Sequence, residues 1–414
     1  MLFSLGRFMY SHLRDDFPIL AERINNKPLI YFDNAATTHK PRAVLDALYN
    51  FYSRHNANIN RGVYLFAEQA TQQYEQARAT VARFIGAEAH EVIFTSGTTE
   101  SINFVAATWA ERFIGAGDQI LITQLEHHAN LLPWQQLAQK KNADLCFIPV
   151  AADGSLKLEM LESLITNRTK LIAVSQVSNA LGVRNDIAHI AEYAKKSGAI
   201  VLVDAAQSAP HERLNVATLG ADFVAFSGHK MLGPTGIGVL YIKEALHDQV
   251  PPYRYGGGMV FNADFDQASW HTSPAKFEAG TPPIAQAIGL AAAIDYLEKN
   301  IDFGQLRLHE AALVQRLVAG LSELPRVVIH GPGGTNLQAG HMVTFSVTGI
   351  HAHDVAAYLS SQGIFVRAGH LCAQPLMSHL SLEAVVRASF YFYNTASEVD
   401  VFISALERVI QQLG

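Results

Sequence analysis

The chain has 414 residues, with 31 Lys and Arg against 37 Asp and Glu, a formal net charge of −6 and 49% hydrophobic side chains. Only 16% of residues are charged, which excludes a disordered chain, and no dense basic stripe marks a nucleic-acid binder. Two cysteines, Cys146 and Cys372, are too few for a disulfide framework and point to a reducing, cytoplasmic setting, and no apolar run reaches the roughly 20 residues of a membrane span.

The first fourteen residues lack acids, but Gly6 and Arg7 break their apolar run and no small-residue cleavage site follows, so no signal peptide is expected. Strands are predicted at residues 91–95, 119–123, 145–150, 170–177, 199–204, 223–227 and 238–243. Each run is short and apolar without strict alternation, the pattern of strands buried on both faces of a mostly parallel sheet. Between the first two, Ile102, Val105, Ala106, Trp109 and Phe113 fall on one face of a helix. Seven such runs predict a large doubly wound α/β domain. Residues 251–283 are poor in periodicity and rich in Gly, Pro and aromatics, as in a functional or interfacial loop. From about residue 295 the texture changes: a helix at 305–324, strands at 327–330 and 342–347, a helix at 353–361, and strands at 364–367 and 385–390. A last helix carries Val399, Phe402, Ile403, Leu406 and Ile410 on one face, completing a smaller α+β unit. The predicted partition is an N-terminal segment 1–28 packing with the small domain, a large domain 29–295 and a small domain 296–414.

Chemistry-bearing residues fall at predicted strand ends. Thr95-Ser96-Gly97-Thr98-Thr99-Glu100 follows a strand and opens a helix, so free amides and hydroxyls make an anion cradle, although an ordinary N-cap would read the same way. Asp204 ends one apolar strand, where open α/β sheets bind ligands, and Ser227-Gly228-His229-Lys230 ends the next. A lysine, a carboxylate and a phosphate cradle at one sheet edge are what pyridoxal phosphate requires: the lysine for the Schiff base, the acid beside the pyridine nitrogen. Glu126-His127-His128-Ala129-Asn130 adds an imidazole able to stack on the ring and move protons. Without a cysteine or carboxylate cluster at ligand spacing, no metal site is predicted there. Asn179, after the 170–177 strand, is a hydrogen-bond donor or a turn residue. In Arg367-Ala368-Gly369-His370-Leu371-Cys372-Ala373-Gln374-Pro375 the cysteine stands in a short polar loop, where Arg367 favours the thiolate, whereas Cys146 reads as an inert core residue. Arg387, inside an apolar strand, needs either a substrate carboxylate or an internal salt bridge.

On these residues the sequence resembles the group II (Suf/Csd-type) cysteine desulfurases of the class-V aminotransferase family, from about Asp15 to the C-terminus. The stretches that carry the likeness are SGTTESINFVA, EHHANLLPWQ, VDAAQ, AFSGHKMLGPTGIGVLY, FEAGTP, RAGHLCAQPL and RASFYFYNT. The resemblance implies the fold of pyridoxal-phosphate-dependent transferases (fold type I), a seven-stranded domain plus a small C-terminal one, assembled as a homodimer. It implies Lys230 as the Schiff-base lysine, Asp204 at the pyridine nitrogen, Gln207 at the ring hydroxyl and His127 stacked on the ring. Thr98, Thr99, Ser227 and His229 are implied as phosphate ligands, with Thr281 reaching the phosphate of the other subunit. Arg387 and Asn179 are implied to position the substrate, Arg367 to lie near the nucleophile, and Cys372 to be that nucleophile. The implied reaction converts L-cysteine to L-alanine, with sulfur left as a persulfide on Cys372 for a small acceptor protein and for iron–sulfur cluster assembly. Selenocysteine lyase activity and another class-V chemistry, aminotransferase or kynureninase-like, are the alternatives. Three departures stand out: Asn60 before Arg61 where relatives commonly have His, Gly256-Gly257-Gly258 meeting Met259 directly, and Pro283 after the AGTP stretch.

Overall fold

The computed structural model describes residues 10–332 and 340–414. All seven predicted runs form one sheet: β1 Val92–Thr95, β2 Gln119–Thr123, β3 Asp144–Ile148, β4 Thr169–Ser175, β5 Ile200–Asp204, β6 Phe223–Ser227 and β7 Gly238–Ile242, in the order β1-β7-β6-β5-β4-β2-β3. Neighbours are parallel except β7, which runs antiparallel to both β1 and β6. Alternation along the strands divides the core between two faces. Phe94, Leu121, Val174, Val203 and Phe226 pack into one apolar cluster, while Ile93, Ile122, Ala173, Leu202 and Ala225 pack into the other. Only the edge strand β3 is largely uncovered. The predicted 170–177 strand stops at Ser175 because the chain turns back on itself, Val177 bridging to Arg184.

The helices that matter for the site are α1 Leu65–Ile85, α2 Thr98–Val105, α3 Ile284–Asn300, α4 Phe303–Ser322, α5 Ala352–Ser361, α6 Gln374–His379 and α7 Ala396–Leu413. Beyond the large sheet lie β8 Val327–His330, β9 Met342–Val347, β10 Arg367–Gly369 and β11 Val385–Ser389, an antiparallel sheet in the order β8-β9-β11-β10. It packs with α4, α5 and α7 around Phe345, Val386, Phe402 and Leu406. Thr395 and Glu398 form a capping box that starts α7. The N-terminal stretch is tied into this region: Phe17 packs on Phe392 and Tyr393, Arg14 pairs with Glu398 at 2.9 Å, and Ile30–Tyr31 runs parallel to Ile364–Phe365.

The 251–283 segment differs from the aperiodic loop expected. It contains an exposed ladder, Val260–Ala263 against Ala268–Trp270. The turn between them is set by Asp264, whose Oδ1 accepts from the amides of Asp266 and Gln267 at 2.9 and 2.8 Å.

Candidate active site

The C-terminal ends of β1, β4, β5 and β6 open onto a cavity of about 350 Å³, closed on its far side by the loop after β10 and by β11. Ligands of open α/β sheets bind at this edge. Thr98, Thr99, His127, Asn179, Asp204, Gln207, Ser227, His229, Lys230, Arg367, Cys372 and Arg387 all line it, so twelve of the thirteen predicted site residues converge. Thr281 does not line the cavity; it is exposed, its Oγ1 accepting from Asn58 Nδ2 at 3.2 Å.

The anion cradle is built by close approach. Gly97 is the N-cap of α2, so neither threonine acts as the side-chain cap that the sequence allowed. Thr98 N donates to Ser227 Oγ at 2.9 Å, and the two hydroxyl oxygens lie 2.7 Å apart. That contact crosses β7, whose first residue, Gly238, pairs with both Thr95 and Ser227. A Cβ on Gly238 would sit 2.4 Å from Gly97 Cα, so no side chain fits there.

Across the cavity Asp204 is buried, its Oδ1 accepting from Ala206 N at 2.9 Å. Burial raises its carboxyl pKa, opposed by that amide and by Lys230. Burial likewise pushes the Lys230 ammonium down to about 8, with Asp204 pulling the other way. His127 is held near 4 by burial and then by Lys230, so its ring is neutral at ordinary pH. Its Nδ1 accepts from Ala129 N at 3.0 Å, which leaves Nε2 as the protonated nitrogen. His229 is also lowered to about 4 by burial, and its carbonyl is gripped by Thr37, Thr38 and Lys40. Gln207 Nε2 donates to Ala35 O at 2.8 Å.

Arg387, 3% exposed, makes the internal pair that the sequence allowed and keeps one donor unpartnered among the described residues. Its Nη1 donates to Asn179 O at 2.6 Å and its Nη2 reaches Asp33 Oδ1 at 3.4 Å, an internal pair. Its buried Nε has no partner among the described residues, and neither has the buried hydroxyl of Ser175, which lines the same cavity. Asp33 also holds Arg367 at 2.7 Å. Cys372 is exposed, and Leu371 and Cys372 both lie in the left-handed region with φ of 56° and 55°. The loop is tethered by Asn179 Nδ2 to Leu371 O at 2.6 Å, by His128 N to Cys372 O at 2.8 Å and by Gln374 N to His128 Nε2 at 3.1 Å.

Three contributors were not singled out from sequence. Asp33 follows a two-residue strand too short to register, and Ser175 was read only as strand. Glu126, buried and pushed up to about 7 by burial, accepts from Thr123 Oγ1, Ser175 N and Asn130 Nδ2 beneath the cavity. Of the three departures, Asn60 has φ 74°, a conformation asparagine tolerates better than most residues, and Pro283 is the N-cap of α3. Among the described residues no group of three or more His, Cys, Asp or Glu side chains is placed to hold a metal ion, and no helix is long and apolar enough to cross a membrane.

An amide-rich helix start ringed by hydroxyls, a desolvated lysine facing a buried aspartate, and orphaned Arg387 Nε and Ser175 Oγ together fit pyridoxal phosphate with an amino-acid substrate. The profile of the family described as aminotransferase class-V matches residues 30–402, and the chain belongs to that family, with pyridoxal phosphate as its cofactor. Within it the chain is a cysteine desulfurase. It is 48% identical over 399 residues to a probable cysteine desulfurase of Halalkalibacterium halodurans, covering 96% of this chain and 97% of that one. A probable cysteine desulfurase of Staphylococcus epidermidis is 49% identical over 395 residues, 95% of each. Among solved structures, the apo cysteine desulfurase of Thermococcus onnurineus NA1 superposes with a TM-score of 0.92 at 44% identity, covering 97% of this chain and 98% of that one. The cysteine desulfurase CsdA of Escherichia coli gives 0.90 at 37%, with the same coverage.

Proposed function

We propose that the chain moves sulfur from L-cysteine onto Cys372 as a persulfide, releases L-alanine, and hands the sulfur to a small acceptor protein. The observation that carries this reading is that the exposed Cys372, a desolvated Lys230 and a buried, incompletely satisfied Arg387 line one cavity. Thr98, Thr99, Ser227 and His229 would hold the cofactor phosphate, Asp204 its pyridine nitrogen, Gln207 its hydroxyl and His127 its ring face. Bound there, pyridoxal phosphate supplies an electron sink for the substrate Cα.

Arg387 grips the substrate carboxylate with its free Nε, and Asn179 fixes both that guanidinium and the nucleophile loop. Burial lowers the proton affinity of the Lys230 amine, so Lys230 would take the Cα proton near neutral pH. Cys372 Sγ, as thiolate in the cavity that Arg367 also lines, attacks the substrate sulfur. One S–S bond forms, the substrate Cβ–S bond breaks, and its electron pair is taken up by protonation at Cβ. L-cysteine thus yields L-alanine and one persulfide, with no outside oxidant.

The same reading assigns a homodimer, in which Thr281 serves the site of the second copy. What supports it is that Thr281 stands outside its own cavity and that the run Val63 to Phe66 is exposed, Val63 at 96% and Leu65 at 63%. The test is alanine released from L-cysteine by the wild type and Cys372→Ser side by side, with a reducing thiol, and again with L-selenocysteine. Alanine from the wild type and almost none from the variant supports the reading. Cofactor binding without alanine, or equal rates of the two proteins on L-cysteine, overturns it, and equal loss on both substrates counts against a selenocysteine lyase role.

A further inference from the structure

The second histidine of the Glu126-His127-His128 stretch takes no part in the chemistry above, yet it makes two of the three tethers on the nucleophile loop. His128 N donates to Cys372 O at 2.8 Å, and its Nε2 accepts from Gln374 N at 3.1 Å. Gln374 is the first residue of α6, and Ala373, its N-cap, has no side-chain acceptor. The first amides of a helix lack intrahelical partners and are ordinarily capped by a local Ser, Thr, Asp or Asn. Here the capping acceptor comes from an imidazole 246 positions earlier in the chain. The residues just before this cap, Leu371 and Cys372, both hold a left-handed backbone, a conformation that persists in non-glycine residues only when surrounding contacts enforce it.

We infer that His128 is the positioning residue for Cys372: its neutral imidazole caps α6 and thereby holds the Cys372 loop in the geometry that aims the thiolate at the cavity. The ring must be the Nδ1–H tautomer, because Nε2 accepts. Protonation turns Nε2 into a donor facing the Gln374 N–H, so the cap is lost as pH falls through the titration of His128. Burial and the neighbouring His370 hold that titration below the usual imidazole range. The other titratable groups around it are His127 on its own turn, Cys372 on the loop, and Glu111 and Lys140 lining the groove on its outer side.

The inference rests on the desulfurase reading, so the wild type is the control: if it makes no alanine the reading fails, not this inference. Holoenzyme is prepared as wild type, His128→Ala and His128→Gln; the glutamine carbonyl reaches about as far as Nε2 and accepts at any pH. Alanine formation should fall about tenfold in His128→Ala, the size of a lost cap expressed as a rate, with KM for L-cysteine and cofactor absorbance unchanged. His128→Gln should recover most of the rate and lose the acid limb that His128 contributes. Independently of activity, hydrogen exchange in a peptide spanning Gln374 should quicken in His128→Ala and return to the wild-type rate in His128→Gln. Wild-type rate and exchange in His128→Ala, or an unchanged acid limb in His128→Gln, would overturn the assignment.

Discussion

Replacing Asp33 with alanine probes the ion pair that aims Arg387 into the cavity. Arg387 is buried and reaches Asp33 Oδ1 at 3.4 Å and Asn179 O at 2.6 Å. Asp33 also holds Arg367 at 2.7 Å, but the Arg367 side chain is 49% exposed. Deleting the carboxylate leaves a buried cation without a counter-charge, which costs about 3–5 kcal/mol in comparable pairs. The long 3.4 Å contact and the surviving Asn179 carbonyl put the expected loss at the low end, about 3 kcal/mol. Arg367→Ala, by contrast, removes a solvent-screened partner and should cost at most about 1 kcal/mol. Urea unfolding of the holoenzymes measures both. Asp33→Ala should also raise KM for L-cysteine more than it lowers kcat, because the guanidinium loses its aim before any proton moves. The double variant Asp33→Leu with Arg387→Met, which removes both charges, should regain much of the stability while remaining inactive. If Asp33→Ala loses no more than Arg367→Ala, or if the double variant is as unstable as the single one, the electrostatic argument is wrong.

Lys230→Ala should abolish both alanine production and the visible absorbance of the lysine-bound cofactor, read in one spectrophotometric titration; a variant that retained both would sink the assignment of Lys230. Gly238→Ala should weaken cofactor binding by at least about tenfold, because its Cβ must displace Gly97 and with it the Thr98 amide; a cofactor titration with unchanged affinity would refute this. Glu126→Gln sets an amide against the Thr123, Ser175 and Asn130 donors and should cost about 1–3 kcal/mol in urea unfolding. Because burial raises the Glu126 carboxyl to about 7, the stability linked to its proton is full below about pH 4 and is lost as pH rises through about 7. The lead of the wild type over this variant should therefore shrink across that window, and a constant difference would contradict the raised value.

The strands of the large sheet were legible because runs such as QILIT and FVAFS are buried on both faces, which leaves three or four apolar side chains in succession with polar residues only at the ends. Their order was not, since nothing in residues 238–242 tells that the last strand inserts between the first and the sixth. Asp204 and Lys230 stood out because they fall together at the ends of apolar runs, and Cys372 because it stands in a short polar loop rather than in the core. Asp33 did not, because its pairing with Arg367 spans 334 positions and its flanking strand is two residues long. Arg387 posed a choice between an inner salt bridge and a substrate anchor; five guanidinium donors in a fork can serve both, so the choice was not exclusive. His128 carries no local mark of its role, since what it caps lies on another element altogether.

The place of β7 also bears on the order in which this molecule can become functional. Thr98, which opens α2 just after β1, and Ser227, which ends β6, belong to elements that are not neighbours in the sheet, and the antiparallel β7 lies between those strands with Gly238 paired to both Thr95 and Ser227. Until residue 242 has left the ribosome and zipped into the gap, Thr98 and Ser227 belong to separate pieces of chain. A chain ending before β7 thus has Lys230, Asp204 and the start of α2, and lacks the strand that brings Gly97 and Ser227 together.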